Sequence, residues 1–182
     1  MRLQFCLLAL LALFAVQAPA KEKDASPDPG LKKAPGFTMA AFPGGKARLK
    51  DYQGKWLALC FYPKANAPKD VLQMVSLREA FPEIQKMNGA VLGVSMDPPA
   101  VVEKFQKDQA LPFPLACDTT KEVSTAYGAL GLGGLFSSRR TILINPEGQI
   151  AGVIDKCPEK NYGSRVVEKL KSLQAAGKSG DQ

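Results

Sequence analysis

The chain has 182 residues, 46% of them hydrophobic and 23% charged, with a formal net charge of +7. That composition predicts a globular fold and argues against a disordered or fibrous chain. The sequence contains no histidine, which excludes a Ser-His-Asp triad, a Cys-His pair, a zincin motif and c-type haem attachment.

Met1 to Ala20 carries Arg2, an apolar stretch from Phe5 to Val16 and a closing Ala18-Pro19-Ala20. This is the pattern of a secretory signal peptide cleaved after Ala20, and the apolar stretch is too short for a membrane span. The expected location is secreted or periplasmic, with no membrane attachment after cleavage. Residues 21–35 (KEKDASPDPGLKKAP) are charged and proline-rich without an apolar period, and are expected to form a flexible linker. Residues 36–176 are the expected folded domain, and 177–182 a fraying tail.

Lys55–Tyr62 (KWLALCFY) is a near-continuous apolar run, which predicts a central strand covered on both faces. Apolar residues at 71, 74, 77 and 81 predict a helix, which Pro82 kinks or restarts. Ala90–Met96 (AVLGVSM) reads as a second buried strand. Asp97 and Pro98 read as the N-cap and first-turn proline of a helix ending near Gln109.

Phe113–Ala116 is a short strand, and the Thr119/Glu122 spacing predicts a capping box opening a helix to Tyr127. Gly128–Ser138 is an irregular loop. Thr141–Asn145 and Gln149–Ile154 form a hairpin around Pro146-Glu147-Gly148, and Val166, Val167, Leu170 and Leu173 mark the apolar face of a last helix. This order predicts an α/β, thioredoxin-like fold, a central mixed sheet flanked by helices on both faces. The Ala90–Met96 strand lies beside Lys55–Tyr62, the Phe113–Ala116 strand beyond it and the hairpin on the other side.

The chemistry-bearing patterns are few. No GxxxxGK[ST], GxGxxG or CxxC occurs, so neither a nucleotide cofactor nor thioredoxin-type disulfide exchange is supported. No metal site is expected. Basic residues are scattered or paired, as at Arg139-Arg140, without an aromatic-rich basic stripe; nucleic acid is not expected as a partner. Besides Cys6, the chain has Cys60, Cys117 and Cys157. Cys60 falls inside a buried strand and reads as a core thiol. Cys117 ends a strand at the sheet end that carries the loop after Tyr62, and is the alternative nucleophile if it is exposed there. Cys157 follows the last strand and is expected in a surface loop at the opposite edge, beside Lys156, and unbridged to Cys117.

The stretches GFTMAAFPGGKARLKDYQGKWLALCFYPKANAP, AVLGVSMD, LPFPLACDTTKEVSTAYGAL and RRTILINPEGQI, in that order, resemble peroxiredoxins of the AhpC/TSA superfamily, of the bacterioferritin-comigratory (PrxQ-like) type. The family's motif is Pro-x-x-x-Thr-x-x-Cys. Its thiolate opens the peroxide bond and becomes a sulfenic acid, which a resolving cysteine converts to a disulfide. The resemblance places Pro63 on the motif proline, Ala67 on the threonine, Asp70 on the peroxidatic cysteine, Val75 on the resolving cysteine and Arg139 on the active-site arginine.

A carboxylate at 70 supplies negative charge in the first helical turn but no redox cycle, the state of a permanently overoxidised site. The resemblance therefore implies a secreted pseudo-peroxidase that binds an unidentified partner. It leaves open a thiol peroxidase using another cysteine such as Cys117, served by a thioredoxin-like reductant, and, against the missing CxxC, a thiol-disulfide oxidoreductase. It further implies no cofactor, and it leaves open a homodimer.

Overall fold

The computed structural model describes residues 31–155 and 158–179. The expected signal peptide, most of the expected linker, Lys156, Cys157 and the last three residues lie outside them. Eight strands build one sheet: β1 (Lys32–Lys33), β2 (Thr38–Phe42), β3 (Gly45–Arg48), β4 (Trp56–Phe61), β5 (Gly89–Ser95), β6 (Leu115–Cys117), β7 (Arg140–Ile144) and β8 (Gln149–Asp155). Their spatial order is β1-β8-β7-β4-β5-β6-β2-β3. β4, β5 and β6 are parallel, while the other pairings are antiparallel. The helices are α1 (Pro68–Lys86), α2 (Pro99–Asp108), α3 (Glu122–Ala126) and α4 (Tyr162–Ser179).

The expected centre of the sheet is found. β4 lies between β7 and β5, and Leu57 through Tyr62 are all fully buried. The period-two pleat splits this run between two apolar layers. Ala58, Cys60 and Tyr62 pack with Met74 and Leu77 of α1, Phe105 of α2 and Val166 of α4. Leu57, Leu59 and Phe61 face the other side, with Phe37, Val123 of α3 and Tyr127. Among the described residues helices thus cover both faces unevenly: three on one, and on the other only α3 with the chain from Ala34 to Tyr52.

Several local expectations are corrected. α1 runs through Pro82 as one helix and does not restart there, because Ile84 continues the buried face of Met74 and Leu77 and its burial offsets the lost hydrogen bond. α2 starts one residue later than expected, with Pro98 as N-cap and Pro99 as first-turn proline. Asp97 is not the cap, since its carboxylate accepts from the Ala65 amide at 2.7 Å and the Ser95 hydroxyl at 2.9 Å. α3 is capped by Asp118 rather than by a Thr119 box: the Asp118 carboxylate accepts from the amides of Val123 and Ser124. β6 pairs from Leu115 rather than Phe113, as Pro112 and Pro114 bracket Phe113 and have no amide hydrogen to give a ladder.

Both ends of the domain extend further than expected. Lys32 and Lys33 pair with Ile150 and Gln149 of β8, and Ala34 is buried with its amide donating to Gly148 O at 2.9 Å. The last residues of the expected linker are therefore part of the sheet. α4 continues past Gly177 to Ser179, so the tail expected from Gly177 begins as helix.

Candidate functional site

Parallel β4, β5 and β6 bring their carboxyl ends to one end of the sheet, and antiparallel β7 begins there. The loop after Tyr62 and the residue before β7 therefore converge. Pro68 occupies the first turn of α1 after an extended Ala67 cap, as a helix-opening proline should. Asp70 sits in that turn, only 2% exposed, where helix N-termini favour negative charge.

The Asp70 carboxylate has two partners. Oδ2 accepts from the Lys64 amide at 3.1 Å, and Oδ1 accepts from Arg139 Nη2 at 2.5 Å. The other two nitrogens of Arg139 have partners in the chain as well. Its Nε donates to Gln73 Oε1 at 2.8 Å, and its Nη1 lies 3.1 Å from Glu159 Oε1. Gln73 Nε2 reaches back to Phe61 O at 3.4 Å, tying the cluster to the end of β4.

Burial pushes the Asp70 carboxyl above the usual carboxylate range, against the lowering effects of Arg139 and the Lys64 amide. Glu159 is held low, first by its own backbone amide and then by the Arg139 and Lys69 charges.

The positions singled out in the sequence are thus gathered in part. Pro63, Ala67, Asp70 and Arg139 share one end of the sheet, and Asp70 and Arg139 are in direct contact. Val75 lies further along α1 and is half-buried.

Cys117, the alternative thiol, is buried. It is 6% exposed and packed in the helix-covered core, and burial, aided by the Asp97 charge, pushes its thiol up to about 11. Cys60 is fully buried, as expected of a core thiol, and burial pushes it up to about 12. Cys157 lies outside the described residues. The buried Tyr62 hydroxyl has no hydrogen-bond partner among the described residues.

Gln73 and Glu159 were missed from sequence. Gln73 had a signal, being three residues after Asp70 and so on the same helix face. Glu159 had none; it arrives on a 3-10 turn, Glu159–Asn161, packed against α1. Beside the cluster runs a groove of about 380 Å³, walled by Pro63, Lys64, Met96, Leu135 and Phe136. Neither Asp70 nor Arg139 lines it. Among the described residues no group of acidic or thiol side chains is arranged to hold a metal ion.

Comparison with known proteins places the chain among recognisable relatives. The profile of the AhpC/TSA family matches residues 31–153. A selenocysteine-containing peroxiredoxin, PrxU, of Peptoclostridium acidaminophilum is 36% identical over 155 residues, spanning 79% of this chain and 75% of that protein. Peroxiredoxin Bcp of Escherichia coli is 31% identical over 144 residues, covering 76% of this chain and 92% of its own. The solved structure of the Xanthomonas campestris bacterioferritin comigratory protein superimposes with a TM-score of 0.70 at 27% identity, covering 75% of this chain and 90% of that one.

Proposed function

The chain belongs to the AhpC/TSA family, and from that premise we propose that it is a pseudo-peroxidase, a peroxiredoxin fold kept as a binding or structural module. The observation that carries this reading is the use made of Arg139. Its guanidinium is divided between Asp70, Gln73 and Glu159. A peroxide arriving here meets a buried carboxylate in place of a thiolate and an arginine each of whose three nitrogens already has a partner.

A carboxylate cannot pass through the thiolate, sulfenic acid and disulfide states that peroxide reduction by sulfur requires. Ala67 offers a methyl where the family motif has a hydroxyl. The Asp70–Arg139 pair nonetheless holds the loop after β4 to α1 and β7, the structural half of the family's site without its redox half.

The relatives are named as peroxiredoxins, which favours a second reading: a thiol peroxidase using another cysteine. Cys60 and Cys117 speak against it, since both are buried with raised thiol pKa values and so carry little thiolate near neutral pH. Thiol-disulfide exchange lacks a CxxC pair. The pattern of residues 1–20 supports a proposal of export, testable by fractionating cells that express the full chain.

The deciding experiment is hydrogen peroxide and alkyl hydroperoxide consumption by the purified protein with excess dithiothreitol, beside a Cys117→Ser control. The expected result is consumption no faster than the protein-free blank. Consumption abolished in the control would move the site to Cys117, and consumption surviving it would move the site to another thiol.

A further inference from the structure

At the opposite end of the sheet from Asp70 lies a larger cavity, of about 630 Å³, within the ~300–1,000 Å³ range of small-molecule sites. Its origin is the uneven cover of the sheet. Tyr127, just after α3, packs its ring against Phe61 and Phe37. Beyond Phe37, towards Leu57 and Ile144, no helix follows among the described residues, and a single 3-10 turn, Leu49–Tyr52, takes its place. Leu57 and Ile144 close its floor and are themselves fully buried, so the apolar surface open to a ligand is that of Leu49, the Tyr52 ring and the edge of Phe37.

The rim is strongly one-sided in charge. Lys33, Arg48, Lys50 and Lys55 all line the cavity, against a single carboxylate, Glu147. Each of the four cations is exposed, and none forms an ion pair with a described residue. The nearby Asp51 does not line the cavity and forms no ion pair with a described residue; its carboxylate accepts from the Arg48 backbone amide at 3.0 Å. Four unpaired cations are brought together here by three separate segments, β1, the 3-10 turn with its cap, and the residue before β4. An apolar interior under a cationic rim is complementary to a molecule with an anionic head and an apolar body.

We propose that this cavity binds a small amphiphilic anion, a carboxylate or sulfate head on a hydrocarbon body, with the tail against Leu49, the Tyr52 ring and the edge of Phe37 and the head at Lys50 and Lys55. The site is independent of the peroxidase question, since it shares no lining residue with the Asp70 cluster.

The test is an amide NMR titration of the purified protein with sodium decanoate and sodium decyl sulfate below their micellar concentrations. Decyltrimethylammonium matches the tail with the opposite charge, and acetate supplies the head alone. Both decyl anions should give saturable shifts at Thr38, the residues of the 3-10 turn and Gly148, while neither control does so at equal concentration. The Lys50→Glu, Lys55→Glu double variant, with an unchanged melting temperature, should weaken decanoate binding at least about tenfold. Equal binding of the cationic decyl probe, shifts centred on Leu135 and Phe136 instead, unchanged affinity in the double variant, or no saturable shift with either anion would each overturn the proposal.

Discussion

Asp70 and Arg139 are 69 positions apart in the chain, and their side chains meet at 2.5 Å, 3% and 19% exposed respectively. The contact closes the end of the sheet at which β4 and β5 finish and β7 begins. Its energetics are separable, because Arg139 has a second carboxylate, Glu159, while Asp70 has no second cation within ion-pair distance among the described residues.

Removing the arginine is therefore expected to cost more than removing the aspartate. Arg139→Met leaves a buried carboxylate with only the Lys64 amide, for an expected loss of roughly 2–4 kcal/mol. Asp70→Asn keeps a side-chain acceptor for that amide and leaves Arg139 with Glu159, for roughly 1–2 kcal/mol. Urea unfolding of both singles and the double should give a coupling of about 1–3 kcal/mol. A coupling near zero would contradict a working ion pair.

The pH dependence follows from the raised Asp70 pKa. An acid whose folded pKa lies above its unfolded value holds more protons when folded, so its contribution to stability falls as pH rises between the two. The unmutated protein should lose melting temperature relative to Asp70→Asn as pH rises from about 4, and the difference should level off once the folded pKa is passed. In Arg139→Met the window should widen upward, because the main lowering influence is gone. Parallel thermal melts across this range check the sign.

Peroxide chemistry should be rebuilt only in steps. Asp70→Cys alone should show little turnover with dithiothreitol, since Ala67 cannot orient the peroxide. Adding Ala67→Thr should raise the rate at least about tenfold, because placement of the reactants carries a large share of such barriers. Stopped-flow peroxide loss distinguishes the two variants, and equal rates would remove position 67 from the account.

Cys60 and Cys117 should resist a thiol reagent in the folded protein and react on denaturation. Both are buried, with thiols raised to about 12 and about 11. Timed labelling with iodoacetamide at pH 8, read by peptide mass, tests this residue by residue. Rapid native labelling of Cys117 would restore it as a candidate nucleophile.

Gly163 lets α4 approach α1 closely. A Cβ there falls 2.1 Å from Ser76 O, and the Gly163 amide donates to the Ser76 hydroxyl at 2.9 Å. That hydroxyl in turn donates to Lys160 O at 3.1 Å, holding the turn that delivers Glu159. Gly163→Ala should cost about 1–3 kcal/mol by overpacking, measured by denaturant unfolding. It should also displace Glu159, so the extra loss on adding Glu159→Gln should be smaller than in the parent.

What the sequence alone determined is local or strictly periodic. KWLALCFY announces its own burial because both pleat faces are apolar, and the α1 spacing and the Pro146-Glu147-Gly148 turn need no distant partner to be read. The order of strands β7-β4-β5-β6 followed from the handedness of crossovers, and the meeting of Asp70 with Arg139 from a family pattern.

What the tertiary structure decided are choices between partners. Asp97 could cap a helix or clamp the loop after β4, and the Ala65 amide and Ser95 hydroxyl took it. The β2–β3 hairpin, whose strands are rich in small residues, and the two-residue β1 have little local propensity. They form because β6 and β8 offer unpaired edges, and pairing them satisfies backbone groups that no side-chain pattern advertises. Cys117 ends its strand as read, but burial depends on what crosses above it, and that is a property of the assembled fold. Glu159 reaches Arg139 only because α4 packs on α1 through a residue without a side chain.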